Sequence, residues 1–298
     1  MTTDSATSSA AGESDGFETW LRGRVPERGL RSKGASVLEV LLTQPRRASY
    51  SSAAEAAELA GVNVATVSRT AQALGFSGWS DLQQELRARY LSSLSAPEVA
   101  AAQRTEGELG TASLRRDLES LAVLNRRLDE QQIRTIAEAI AQARRVLIIA
   151  NGSYVAVGSA LGHNVRLAGY DATVVRDDAD LANSVSRIEP GDVLVAISFW
   201  RLYQSTVTAA EEASNRGARV FALTDAASPA LAAAAEQVVL IPAEGVAFFP
   251  SLAPGLAVAQ AIAAQLSTVD PERTRRSIEA AETQWSRFGL MHRQPRRS

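Results

Sequence analysis

The stretch GDVLVAISFWRLYQSTVTAAEEASNRGARVFALT, residues 191–224, reads as a strand, a helix and a second strand. DVLVAIS (192–198) and ARVFALT (218–224) are continuous apolar runs rich in Val, Leu and Ala. Strands of that composition are buried on both faces, as in a parallel sheet covered by helices. Between them, QSTVTAAEEASNR (204–216) has helical character and closes at Gly217. Working outward, RRVLIIA (144–150), DATVV (171–175) and QVVLIP (237–242) repeat the strand style, and YVAVGSALGHNVRLA (154–168) supplies another helix. Alternation with short joints predicts a doubly wound α/β domain with a five-stranded parallel sheet. Ligands meet such sheets at the carboxyl ends of the strands, near a topological switch point. The expected binding edge therefore carries Asn151–Ser153, Ser198–Tyr203 and Thr224–Ser228.

The rest of the chain divides around this domain. Residues 1–16 read as a disordered lead-in, 17–94 as all-helical, 95–112 as a Pro- and Gly-bearing linker, 113–268 as the α/β domain, and 269–298 as a short helix with a basic tail. Cysteine is absent, which removes disulfides, thiolate metal sites and a Cys nucleophile together. No apolar run is long enough for a membrane span and the N-terminus lacks a signal peptide's pattern, so a cytoplasmic location is expected. Charge is unevenly spread. Between Trp20 and Ser95 there are ten Lys and Arg against six Asp and Glu; between Arg116 and Asp270 there are twelve against seventeen. A small basic segment joined to a larger acidic one suggests two separate tasks.

SAAEAAELAGVNVATVSRTAQALGF (52–76) has the grammar of a helix-turn-helix. Ser52 and Glu55 have capping-box spacing. Gly61 stands where a tight turn needs positive φ, and Asn63 can cap the second helix. Val64, Val67, Ala71 and Leu74 share one face; Ala57 is small where two helices must cross. The opposite face carries Ala65, Thr66, Ser68, Arg69 and Gln72. An inserted recognition helix reads bases from its N-terminal half. Arg69 suits guanine, Gln72 adenine, and Thr66 a thymine methyl or a phosphate, with Ser68 nearer the backbone. Arg46, Arg47, Arg87 and Arg89 are candidate phosphate contacts. A plain helical hairpin with a polar solvent face is the competing account.

These residues resemble the RpiR-type transcriptional regulators, in which an N-terminal helix-turn-helix precedes a sugar isomerase (SIS) domain. TVSRTAQALGFSGWSDLQQEL (66–86) is similar to that family's recognition helix and the step after it. VLIIANGSYVAVGSALGHNVRLAGYDATVV, GDVLVAISFW and GARVFALTDAASPALAAAAEQVVLIP are similar to successive SIS signatures. The resemblance covers residues 20–268. It implies a regulator of double-stranded DNA binding, a small-molecule effector that is often a phosphosugar or another anionic carbohydrate derivative, and a homodimer or homotetramer. The strand-end loops supply the candidate effector set, Asn151, Gly152, Ser153, Ser198, Trp200, Arg201, Tyr203 and Thr224.

The chain departs from the family in one loop. SIS phosphate loops run Ser-x-Ser-Gly-x-Thr/Ser; here Ser198 is kept, while Trp200, Arg201 and Tyr203 replace the small and hydroxyl residues. Two readings follow. Arg201 binds an anion through its own donors while Trp200 and Tyr203 stack on the ligand, or Trp200 packs at a subunit contact and Arg201 is a solvated charge. Asp225 is a candidate helix cap ahead of Pro229, and Phe248 and Phe249 are expected to fill a core or interface.

An SIS isomerase would need a base near neutral pH. His163 lies among apolar helix neighbours, where a structural or interface role is expected; His292 is in the tail and Glu244 is a lone loop acid. No catalytic residue, metal or cofactor is expected. The leading expectation is a non-enzymatic, ligand-responsive DNA-binding regulator. The alternative is a sugar-phosphate isomerase or related SIS enzyme with an accessory helical domain.

Overall fold

A computed structural model of the chain describes residues 17–92, 94–103, 107–226 and 228–292. The expected lead-in at 1–16, part of the expected linker and the last six residues of the tail lie outside them. The chain divides into two compact units, 1–104 and 105–298.

The first unit is helical. Residues 17–22 form α1, followed by α2 (Ser32–Thr43), α3 (Pro45–Tyr50), α4 (Ala53–Leu59), α5 (Val64–Ala73), α6 (Trp79–Ser92) and α7 (Ala96–Ala102). Helix α7 lies inside the stretch expected to be a linker. Its start is fixed by Glu98, whose Oε2 accepts from the Ser95 N–H at 2.8 Å, and by a proline in its first turn. Leu21, Val37, Leu41, Val67, Leu74, Leu82 and Leu86 make the core. Each such side chain contributes about 1.5–3 kcal/mol by leaving water. Helix α2 crosses α5 closely at Gly34: a Cβ there would stand 3.2 Å from Thr70 Oγ1.

The second unit begins with α8 (Leu109–Arg127) and α9 (Glu130–Gln142). Strand and helix then alternate: β1 (Val146–Ala150), α10 (Val155–Leu167), β2 (Ala172–Val175), α11 (Asp178–Val185), β3 (Val193–Ser198), α12 (Gln204–Asn215), β4 (Arg219–Thr224), α13 (Pro229–Ala234) and β5 (Gln237–Leu240). Helices α14 (Ala253–Val269) and α15 (Pro271–Arg287) follow. All five strands are parallel, in the order β2-β1-β3-β4-β5. The alternation of side chains along each strand builds two cores. Ile148, Val195, Ile197 and Phe221 pack with α9, α10 and α14; Leu147, Ile149, Leu194 and Ala222 pack with α11, α12 and α13. This is the doubly wound architecture expected. Its strand order reverses between β1 and β3, so the crevice between their carboxyl ends is the switch point.

One expectation for this unit is corrected. The C-terminal helix is not short: Asp270 Oδ1 caps it by accepting from the Arg273 N–H at 2.9 Å, and it runs for 17 residues. His163 is exposed on α10, between buried Leu161 and Val165. No helix among the described residues is long and apolar enough to cross a membrane.

Candidate functional site

The local signals of the helix-turn-helix are realised atom by atom. Ser52 Oγ accepts from the Glu55 N–H at 3.2 Å, and Glu55 Oε2 accepts from the Ser52 N–H at 2.6 Å. Those bonds, with the nearby Arg47 charge, hold the Glu55 carboxyl below the usual carboxylate range. Gly61 turns with φ +62°, and Asn63 Oδ1 accepts from both the N–H and the hydroxyl of Thr66, at 2.8 Å each. Val67, Ala71 and Leu74 are buried as expected, but Val64 is 45% exposed. It is the first residue of α5 and stands beside the exposed turn, so cover from the neighbouring helices begins one helical turn later.

On the other face, Ala65, Arg69 and Gln72 are exposed and Thr66 and Ser68 half-buried. A groove of about 940 Å³ runs beside this face. It is lined by Arg28, Arg31 and Lys33 together with Thr66 and Arg69. Sequence reasoning passed over the first three cations, because only the α2–α5 crossing at Gly34 and Thr70 brings them to the recognition helix. All three are exposed. Arg46 and Arg47 lie in a different groove, of about 870 Å³, whose lining includes Glu55 and Glu58.

Arg87 and Arg89 do not reach outward as phosphate ligands. Arg87 Nε donates to the Ser49 carbonyl at 2.8 Å, and its guanidinium lies 4.7 Å from the Tyr50 ring. Arg89 Nε donates to Glu85 Oε1 at 2.9 Å, with its guanidinium 4.1 Å from the Trp20 ring. Glu85 is buried, and burial raises its carboxyl above the usual range despite the opposing charges of Arg89 and Arg24. These arginines tie α6 to the unit's interior instead.

In the second unit the switch point joins two of the expected loops. After β1, Gly152 takes φ +58° and opens a 3-10 turn, Gly152–Tyr154, that leads into α10. Gly152 and Ser153 are exposed. Asn151 Nδ2 donates to Thr206 Oγ1 on α12 at 3.1 Å, bridging the crevice. From the β3 side, the Tyr203 hydroxyl comes within 3.6 Å of where a Cβ on Gly152 would be. The hydroxyls of Ser198 and Thr224 are buried and committed to the backbone: Ser198 Oγ donates to the Arg201 carbonyl at 3.2 Å, and Thr224 Oγ1 to the Ala226 carbonyl at 3.1 Å. These bonds brace the two loops.

The β3–α12 loop has the unit's unusual backbone. Trp200 has φ +60°, the single non-glycine residue with positive φ among those described. Left-handed backbone costs an L-residue about 1–2 kcal/mol, so something must hold it. Asp225 does: its Oδ2 accepts from the Trp200 N–H at 2.9 Å. The carboxylate expected to cap a helix is instead aimed across the strand ends. The next N–H, of Arg201, donates to the Phe199 carbonyl at 2.7 Å. The Trp200 ring meets Phe248 edge-on at 5.3 Å, and the Arg201 guanidinium lies 5.1 Å from the same ring. Phe249, expected to fill a core or interface, is 77% exposed beside Phe248. Tyr154 packs on Phe199 at 4.5 Å. Its hydroxyl is buried without a hydrogen-bond partner, and burial, with the Asp225 charge, pushes its acidity far out of the working range.

Two family models match the chain: the rpiR-family helix-turn-helix domain over residues 25–93 and the SIS domain over 139–270. The uncharacterized HTH-type transcriptional regulator YfhH of Escherichia coli is 26% identical over 209 residues, 68% of this chain and 74% of that protein. The HTH-type transcriptional regulator HexR of Pseudomonas aeruginosa is 28% identical over 194 residues, 65% and 68% of the two chains. Among solved structures, the Vibrio vulnificus NanR protein complexed with ManNAc-6P aligns with a TM-score of 0.59 at 22% identity, over 93% of this chain and all of that one. The sugar isomerase domain of an RpiR transcription factor from Sphaerobacter thermophilus aligns with a TM-score of 0.57 at 26% identity, over 59% of this chain and 99% of that one.

Proposed function

This chain belongs to the RpiR-type transcriptional regulators, a helix-turn-helix domain joined to an SIS domain, and on that premise we propose that its strand-end crevice senses a small carbohydrate-like metabolite and thereby modulates operator binding. The observation that carries the DNA-reading half is the exposed face of α5 beside a groove lined by four cations. Ala65, Thr66, Ser68, Arg69 and Gln72 face the bases, with Arg69 on guanine and Gln72 on adenine. Arg28, Arg31 and Lys33 hold phosphates beside them, and Arg46 and Arg47 contribute less because Glu55 and Glu58 share their groove. Two-fold pairing of subunits would present two such helices to a symmetric operator.

The sensing half rests on the β1 and β3 loops meeting at the reversal of strand order. Asn151, Gly152, Ser153, Trp200, Arg201 and Tyr203 border that crevice, with Ser198 and Thr224 shaping it from below. The likeness to a NanR protein holding ManNAc-6P supports a carbohydrate derivative as the ligand class. Coupling is allosteric in the strict sense, a ligand favouring one arrangement of the DNA-binding heads.

The test selects duplexes from a random library with the full chain. Affinity for the selected and for scrambled sequence is then measured, with and without a panel of sugars and sugar phosphates. Arg69→Ala is expected to weaken selected sequence by about 1–3 kcal/mol more than scrambled sequence. Equal losses would make Arg69 a phosphate contact, and failure to enrich any sequence would remove operator recognition altogether.

A further inference from the structure

Several polar side chains at the strand ends already donate within the chain. Asn151 Nδ2 donates to Thr206 Oγ1 at 3.1 Å, Ser198 Oγ to the Arg201 carbonyl at 3.2 Å, and Thr224 Oγ1 to the Ala226 carbonyl at 3.1 Å. Ser153 and Tyr203 are exposed, so water serves their hydroxyls. Tyr154 differs from all of these. It is 6% exposed, and its hydroxyl is buried without a hydrogen-bond partner. Burial, with the Asp225 charge, pushes its pKa well above the ordinary phenol value, so the oxygen keeps its proton.

A buried donor in this state is unfavourable. A phenylalanine would fill nearly the same space without an orphan O–H, so packing alone does not account for the hydroxyl. Tyr170 also has a buried hydroxyl without a partner, but it precedes β2 and so lies at the amino edge of the sheet, with the Arg273 guanidinium 4.1 Å from its ring. Tyr154 lies at the carboxyl edge. It closes the 3-10 turn that joins β1 to α10, and Phe199, the residue after β3, lies against its ring at 4.5 Å. Tyr154 therefore stands between the two loops that meet where the strand order reverses.

We infer that Tyr154 is a specificity-determining residue of the effector site, its hydroxyl donating a hydrogen bond to a hydroxyl oxygen on the sugar part of a bound carbohydrate derivative. This rests on the crevice being the effector site, as proposed above. The donor is unmet in the ligand-free chain and met only when such a ligand arrives. It therefore favours ligands that place an oxygen there over those that do not. The bond is independent of any phosphoryl group the ligand carries. Because the phenol stays protonated, it donates and does not act as a base. A ligand reaches it by displacing its cover, and Phe199, on the β3–α12 loop, is part of that cover.

The test is calorimetric titration of the full chain with a panel of sugars and sugar phosphates. For the compound that binds best, Tyr154→Phe should weaken affinity about tenfold, the worth of one hydrogen bond, without lowering the melting temperature of the ligand-free chain. Deoxy analogues of that compound then locate the partner oxygen. At one ring position the wild type should lose at least about tenfold, while Tyr154→Phe loses little, since both changes delete the same bond. Equal losses in the two proteins at every position, or wild-type affinity in Tyr154→Phe, overturn the inference and leave the effector site standing. A Tyr154→Phe chain that melts well below wild type also overturns it, because the hydroxyl would then be a structural group. Binding of no panel compound to the wild type removes the effector site, and the inference with it.

Discussion

The cationic groove beside α5 makes a prediction whose size can be worked out. Arg28, Arg31 and Lys33 are exposed and line it with Arg69. Arg31 precedes α2 without capping it through its side chain, so replacing these residues leaves the helix start intact. Each phosphate neutralised contributes a slope of about −0.9 to log affinity against log salt. The triple variant Arg28→Ala/Arg31→Ala/Lys33→Ala should therefore flatten that slope by about 2.7 for each bound protomer. Over a fourfold range of salt, about 50–200 mM, wild-type affinity should fall about 40-fold more steeply than that of the variant. Fluorescence anisotropy with a labelled non-specific duplex reads this directly, because backbone contacts do not depend on sequence. The paired variant Arg46→Ala/Arg47→Ala should flatten the slope less, since Glu55 and Glu58 already offset those charges locally. A triple variant with the wild-type slope would show that the groove never meets phosphate, and the docking face would have to be sought elsewhere on the unit.

Other expectations concern the scaffold. Burial raises the Glu85 carboxyl above its ordinary value of 4.5, so the folded state holds that proton more tightly than the unfolded chain. Its contribution to stability is then complete below 4.5 and is lost as pH rises through the raised value. Urea midpoints of Glu85→Gln relative to wild type should shift in the variant's favour as pH climbs through that window; a pH-independent difference would contradict the assignment. Gly162 lies where a Cβ would run into the Val174 side chain of β2. Gly162→Ala should cost about 1–3 kcal/mol in denaturant unfolding, and a neutral result would mean α10 can slide on the sheet.

The fold was legible because its signals are local. Each strand announced itself by a short run of apolar residues, and alternation along the strand then sent Leu147 and Ile148 to opposite cores. The helix-turn-helix was legible for the same reason: Ser52 with Glu55, Gly61 and Asn63 act within three residues of themselves. The stretch after Ser95 held the same capping pattern with Glu98, but its Pro and Gly content read as linker and obscured α7. Arg87 and Arg89 were misjudged because charge on a helix says nothing of which way it faces. Here Tyr50, Trp20 and buried Glu85 draw both guanidiniums inward. The cationic groove was invisible for the converse reason: Arg28, Arg31 and Lys33 meet Arg69 only through a helix crossing at Gly34 and Thr70.

The β3–α12 loop shows why a site can be placed from sequence while its chemistry cannot. Periodicity located residues 198–203 at a strand end, and the strand order put that end at the switch point. Yet the sequence left Arg201 open between an anion's partner and a solvated charge. In the structure the charge that braces the loop is that of Asp225, 25 residues beyond Trp200, through one bond to the Trp200 N–H. Left-handed backbone at Trp200 costs about 1–2 kcal/mol, and a hydrogen bond to a charged acceptor returns about 1.5–3 kcal/mol. The two terms are of the same order, so the bond to Asp225 offsets the strain at Trp200. The bulky residues that look, in sequence, like the loss of a phosphate loop are thus one half of an arrangement whose other half lies on β4's tip. Without an acceptor at 225, the strain at Trp200 would lose this offset.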